Sequence, residues 1–146
     1  MPLDFAEITP GDPRMASGVR PLLRALRPAL SEDDCARFVT EAHGQGLVFL
    51  AAYDADGACA GVATYRVLAT SRGRVLQVDD LVTEPRLRST GVGTGLWEEL
   101  VARAGRAGCA RVELDSGVTN RGAHRFYHAR RMAVSAFHFA HDVTAG

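Results

Sequence analysis

Apolar and polar positions along this chain change period several times, and each change predicts an element. Leu3, Phe5 and Ile8 alternate loosely, which predicts a short edge strand stopped by the turn-rich Thr9-Pro10-Gly11-Asp12-Pro13. From Arg14 to Leu30 the spacing turns helical through Val19, Leu22, Leu23 and Leu26. Pro21 marks either a first turn or a break there, so one or two short helices are expected. Ser31 before Glu32, Asp33 and Asp34 reads as an N-cap with an acidic first turn, opening a helix through Phe38 and Val39 to Gly44 or Gly46. Leu47 to Tyr53 is an apolar strand, Asp54 to Gly57 a hairpin turn and Ala58 to Leu68 the partner strand. A second turn at Arg72-Gly73 leads into the strand Val75 to Val82.

Beyond a glycine-rich stretch, Leu96, Trp97, Leu100, Val101 and Ala104 make one helical face, closed by Gly105 and Gly108. Arg111 to Asp115 reads as a strand, and Asn120 or Arg121 to Arg130 as a helix. Val134, Ala136, Phe137, Phe139, Ala140 and Val143 form a last alternating strand whose period slips once, at Phe137. No repeat or linker interrupts the order, so residues 1–146 are expected to be a single α/β domain.

The glycine-rich stretch, Arg86-Leu-Arg-Ser-Thr-Gly-Val-Gly-Thr-Gly95, lies between an apolar strand and an amphipathic helix. Such a place suits either a tight strand-to-helix turn or an anion cradle, in which glycines bring the backbone close and helix N–H groups face a phosphate. Arg88 would add a fixed cationic fork. Two nucleotide loops fit poorly. No Lys-Ser/Thr pair follows the glycines, and they run G-x-G-x-G where a dinucleotide fingerprint needs G-x-G-x-x-G.

Composition narrows the classes. Basic and acidic residues balance at 17 each, leaving no field to draw nucleic acid or an anionic membrane. Every basic side chain is arginine, so the protein has no lysine of its own to modify. Cys35, Cys59 and Cys109 are odd in number, scattered and in apolar surroundings, as expected of reduced thiols and not of a disulfide framework or zinc site. No stretch resembles a leader or a membrane span, so a cytoplasmic protein is expected.

The spacing Arg88-x-x-Gly91-x-Gly93 resembles the pyrophosphate motif of the GNAT N-acetyltransferase superfamily, and the element order matches that fold over nearly the whole chain. The resemblance implies an α/β (α+β) fold with a mixed, splayed sheet of about six to seven strands flanked by about four helices. It implies acetyl-CoA as co-substrate, its pyrophosphate on Arg88, Ser89, Thr90, Gly91, Val92, Gly93, Thr94 and Gly95. The pantetheine arm would pair like an added strand with Leu81, Val82 and Thr83. The later stretch Asn-Arg-Gly-Ala-His-Arg-Phe-Tyr127 is similar to the aminoalkylphosphonate N-acetyltransferase branch, which would put Asn120 on the cofactor and Tyr127 beside its sulfur. Many relatives follow this helix with Gly-Phe or Gly-Tyr. Here Arg131-Met132 must make the turn without glycine.

The expected reaction is direct transfer of an acetyl group to a primary amine of a small molecule. An alkylamine holds its proton to a pKa of about 10.4, so a base is needed; the leaving thiolate, parent pKa near 8.5, needs a donor. Tyr127 is the candidate acid and Asp79 the candidate base. Asp79 and Asp80 are adjacent, and side chains alternate along a strand, so at most one normally reaches the substrate; the plainer alternative is that both simply mark a bulge or a wet strand end. Glu84, in a Glu-Pro turn, is a weaker candidate. No cysteine is placed for a ping-pong route. His124, His128, His138 and His141 lack diagnostic metal spacing, and no metal is expected. Glu32, Asp33, Asp34 and Glu41 either favour a cationic amine or simply cap and solvate their helix. The competing readings are a non-catalytic acyl-CoA-binding regulatory module and a protein N-terminal or lysine acetyltransferase. Homodimers are common in the resembling family, and the aromatic last strand would suit a shared interface.

Overall fold

A computed structural model describes residues 2–144. The chain divides into two compact units, one ending at Leu114 and the other beginning at Asp115.

The first unit is built on a five-stranded sheet of order β1-β2-β3-β4-β5: Asp4–Glu7, Val48–Tyr53, Cys59–Thr70, Gly73–Thr83 and Arg111–Leu114. The first four strands are antiparallel neighbours and β5 lies parallel to β4. Both hairpin turns are made as their residues require. Asp54 Oδ1 accepts from the N–H groups of Asp56 and Ala58 while Gly57 takes a φ of 79°, and Gly73 takes 112°.

Two helical layers cover the sheet. A π-helical turn, Met15–Val19, runs into α1, Arg20–Leu26, and α2 spans Glu32–Gly44. Ser31 caps α2 as its sequence predicts, its hydroxyl accepting from Asp34 N–H at 3.1 Å. These helices bury Met15, Val19, Leu22, Leu23, Cys35 and Val39 against Phe49, Ala51 and Val62. Phe38 meets Phe49 edge-on, ring centres 6.0 Å apart. Helix α3, Val92–Arg106, buries Val92, Leu96, Trp97, Leu100 and Ala104, whereas Val101 faces outward. Its layer is fixed by Gly61, where an added Cβ would lie 2.8 Å from Leu96 Cδ1 and 3.1 Å from the Val82 carbonyl oxygen. Farther along, Tyr65 Oη accepts from Arg103 at 3.3 Å. Gly61 and Tyr65 therefore face α3, and by alternation Val62, Thr64 and Arg66 face the side of α1 and α2.

The second unit contains α4, Arg121–Ala129. Its glycine-free turn closes with Arg131 at a φ of 62°, and Met132 N–H reaches back to the Tyr127 carbonyl at 3.2 Å. The strand predicted from Val134 to Val143 is not formed. No ladder hydrogen bonds hold it among the described residues, and Phe139 is 91% exposed. Its period slip at Phe137 would put Val134, Ala136 and Ala140 on one face and Phe137, Phe139 and Val143 on the other, so neither register buries them all. The sheet accordingly has five strands where the sequence predicts six or seven.

Gly61→Val should destabilise the protein by about 1–3 kcal/mol, because its side chain must displace Leu96 or push α3 from β3. Urea denaturation of both proteins checks this. Unchanged stability would mean that α3 does not depend on that close approach.

Candidate functional site

The feature that sets this region apart is where β4 loses its second neighbour. The β4–β5 ladder runs from Val75↔Arg111 to Val78↔Leu114 and stops, although β4 continues to Thr83. On its β3 side β4 stays paired to the end, through Ala63↔Leu81, Val62↔Val82 and Gly61↔Thr83. Leu81, Val82 and Thr83 thus sit on an edge that no strand covers among the described residues. An uncovered edge suits an extended, amide-bearing ligand.

A bulge coincides with that opening. Thr64 pairs with Asp80 but Tyr65 pairs with Val78, leaving Asp79 as the extra residue of β4. The extra residue cancels the alternation. Asp79 reaches Arg66, Oδ2 to Nη1 at 3.4 Å, and Asp80 accepts from Thr64 Oγ1 at 2.7 Å, so both carboxylates lie on the face of Thr64 and Arg66. Asp80 also meets Arg27 Nη2, at the end of α1, at 3.2 Å. The alternation expected to send Asp79 and Asp80 to opposite faces is therefore interrupted at this bulge. Sequence alone missed Thr64, Arg66 and Arg27; the one available signal was Thr64, a polar residue in the apolar run Ala60 to Tyr65.

Past β4, Glu84 closes the 3-10 turn Pro85–Leu87 by accepting from Arg86 N–H at 2.8 Å, which gives it a local structural task. The loop then makes two left-handed steps, Ser89 at a φ of 65° and Gly91 at 97°. Ser89 is a non-glycine residue in a costly conformation, a pattern concentrated at ligand-binding loops. Thr90 Oγ1 donates to the Leu87 carbonyl at 2.6 Å, turning the loop inward on itself. Gly91 is the N-cap of α3, and the first helical hydrogen bond runs from Gly95 N–H to its carbonyl at 2.9 Å. The N–H groups of Val92 and Gly93 precede that bond and have no acceptor within the helix. Together with the helix dipole they form a positive pole beside the exposed Arg88. Arg88, Ser89, Thr90, Gly91, Val92, Gly93 and Thr94 are thus brought together around one helix end. Gly95 has another reason to be glycine: a Cβ there would lie 2.8 Å from Leu3 Cδ1, so it admits β1 against α3.

Asn120 and Tyr127 belong to the second unit. Asn120 caps α4, Oδ1 accepting from Ala123 N–H at 3.3 Å. Tyr127 packs edge-on against Phe126 at 5.6 Å, and burial pushes its phenol above the ordinary tyrosine value. Among the remaining candidates, His124 Nε2 lies 2.8 Å from the Gly117 carbonyl and His138 pairs with Asp115 at 3.0 Å. No group of three or more His, Cys, Asp or Glu side chains is arranged as metal ligands among the described residues. Burial also pushes the Cys35 and Cys59 thiols up, which disfavours the nucleophilic thiolate form. No helix is long and apolar enough to cross a membrane among the described residues.

Comparison with known proteins bears on this geometry. The sequence model of the Acetyltransferase (GNAT) family matches residues 17–132. No curated protein matches. Among solved structures, the aminoglycoside N-acetyltransferase AAC(6')-Iy in complex with CoA superposes with a TM-score of 0.82 at 17% identity, over 99% of this chain and 96% of that one. Glucosamine-6-phosphate N-acetyltransferase from Arabidopsis thaliana gives 0.73 at 20% identity over 99% and 100%, and a Trypanosoma brucei acetyltransferase gives 0.74 at 23% over 97% and 100%. At these identities the likeness is one of fold.

Gly91→Ala forces a Cβ into a left-handed N-cap and should cost about 1–2 kcal/mol. Paired denaturant titrations measure it; a loss below about 0.3 kcal/mol would mean that the loop relaxes to another conformation without penalty.

Proposed function

The chain belongs to the Acetyltransferase (GNAT) family, and from that premise we propose that it transfers an acetyl group from acetyl-CoA to a primary amine of a small molecule by direct attack in a ternary complex. The observation that carries this reading is the uncovered edge of β4 at Leu81, Val82 and Thr83, followed in sequence by the N-terminal pole of α3. One offers backbone amides to an extended pantetheine arm and the other offers N–H donors to a pyrophosphate. The residues present fit the co-substrate: Arg88, Ser89, Thr90, Gly91, Val92, Gly93, Thr94 and Gly95 at the phosphates, Gly95 also leaving room for Leu3. Asn120 is proposed to contact the cofactor as well, beside its task as helix cap. The family match crosses from the first unit into the second, which supports reading the chain as one acetyltransferase domain. A homodimer is part of the same proposal. Its support is the exposed apolar side chains Val134, Phe137, Phe139 and Val143.

The chemistry assigns two proton tasks. At neutral pH, stripping a proton from an amine of pKa about 10.4 costs about 5 kcal/mol, and a nearby carboxylate offsets part of that. Asp79, set out by the bulge, is the proposed base. Tyr127 is the proposed acid for the departing thiolate. A phenol at about 10 is already some 1.5 units too weak an acid for a thiol near 8.5, a deficit of about 2 kcal/mol. Burial widens that deficit. Donation by Tyr127 is therefore coupled to C–S cleavage, the sulfur gaining basicity as that bond breaks, and does not precede it.

Acetyl-CoA at about 100 times its dissociation constant should stabilise the protein by about 2.7 kcal/mol, seen as a rise in melting temperature. Gly93→Glu, which places a carboxylate at the phosphate pole, should abolish the rise; a rise that persists in this variant would put the cofactor elsewhere. Tyr127→Phe should lower kcat by about 100-fold or more while leaving acetyl-CoA affinity nearly intact. Because its pKa is raised, the tyrosine stays protonated through neutral pH, and any alkaline loss of kcat due to it belongs above the ordinary phenol range. Steady-state rates across pH decide this, and an unchanged kcat would remove Tyr127 from the mechanism.

A further inference from the structure

We infer that Asp80 anchors a second cationic group of the acceptor, and that Arg27 occupies this anchor until the acceptor displaces it. The inference rests on the transferase reading above and adds what the acceptor must carry. Asp80 is held as a recognition group would be. Its side chain is 11% exposed, Oδ2 accepts from Thr64 Oγ1 at 2.7 Å, and Thr64 is fully buried. The carboxylate is thereby fixed in direction, and little of it is left for water to solvate.

The cation now present is ill suited to be permanent. Arg27 makes one contact with Asp80, Nη2 to Oδ1 at 3.2 Å, and its own side chain is 60% exposed. It sits just past the last turn of α1 with an extended backbone, φ −121° and ψ 77°, and Pro28 follows. Because the guanidinium is solvated and makes one contact, another cation can replace it without leaving the carboxylate unpaired. A compact ammonium could take its place on Oδ1 with Thr64 undisturbed.

Position and chemistry say which nitrogen that would be. Asp80 lies between the extra residue of the bulge, Asp79, and the uncovered edge beginning at Leu81, so it borders the proposed reacting centre. The amine that attacks a thioester must be neutral. A carboxylate holding a cation in the bound state therefore serves another nitrogen of the same molecule. Asp79, facing Arg66, remains with the reacting amine. The acceptor class that follows is a diamine or polyamine.

The test compares α,ω-diaminoalkanes with monoamines of equal chain length, using wild type, Asp80→Asn and Arg27→Gln. Asparagine keeps an oxygen for Thr64, and Arg27 is exposed, so both variants should fold. The wild type should favour diamines, and Asp80→Asn should lose that preference by about tenfold or more, chiefly through KM. Arg27→Gln should lower KM for diamines several-fold with kcat little changed. A merely structural tie between α1 and β4 predicts the opposite, lower stability and no gain in KM. Equal losses for both amine classes in Asp80→Asn, or a raised diamine KM in Arg27→Gln, would overturn the anchor. Calorimetric binding of the same amines in the presence of CoA separates the two readings. Binding that needs Asp80 without any acetylation would end the transferase reading and keep the anchor, and wild-type binding with no preference for diamines would end the anchor.

Discussion

The first unit is shaped by the hydrogen-bond accounting of one strand. β4 is buried between two neighbours as far as Val78, and past that residue one neighbour is gone. Backbone amides in a protein interior cannot be left unmatched without a penalty of about 1–3 kcal/mol each. A long strand beside a four-residue β5 therefore commits the chain to an edge that water or a ligand must satisfy. Several other features are arranged around this commitment. The bulge at Asp79 turns the strand where the pairing ends, Gly61 draws α3 down over the same segment, and the next turn of chain delivers the positive end of that helix.

Electrostatics follow from the same place. Two adjacent carboxylates in an unbroken strand would be divided between the faces of the sheet; the extra residue unites them on one. Each then finds an arginine from a different element, Arg66 on β3 and Arg27 past α1. With charge balanced over the whole chain, such local imbalances, and not a global field, decide what is attracted here.

Much of this was legible in the sequence because it is local. The Ser31 cap, the hairpin turns, the strand leading to the loop and the glycine-free turn after α4 each rest on a few neighbouring residues whose chemistry allows few alternatives. The rest depends on contacts that carry no period. Nothing around Asp79 announces that Thr64 and Tyr65 will skip a partner, and nothing near Asp80 points to Arg27, 53 residues away. Gly95 reads as part of a phosphate motif, and a second reason for lacking a side chain, which the motif does not announce, lies in Leu3. The last strand failed for another reason. Alternation describes a face to be buried, and it cannot supply the neighbouring strand that buries it.

The contact between Leu3 and Gly95 also concerns the order in which the molecule can assemble. β1 is an edge strand, and besides pairing with β2 it reaches α3 through this contact and through Glu7, which accepts from Arg103 at 2.7 Å across 96 residues of sequence. Closing so long a loop carries a large entropic cost and rewards the chain late, so contacts of this span slow folding relative to local ones. β1 must wait, held at most by β2, until the helix behind the glycine loop exists. The N-terminal end of α3 is thus among the last parts of the sheet-and-helix unit to be locked.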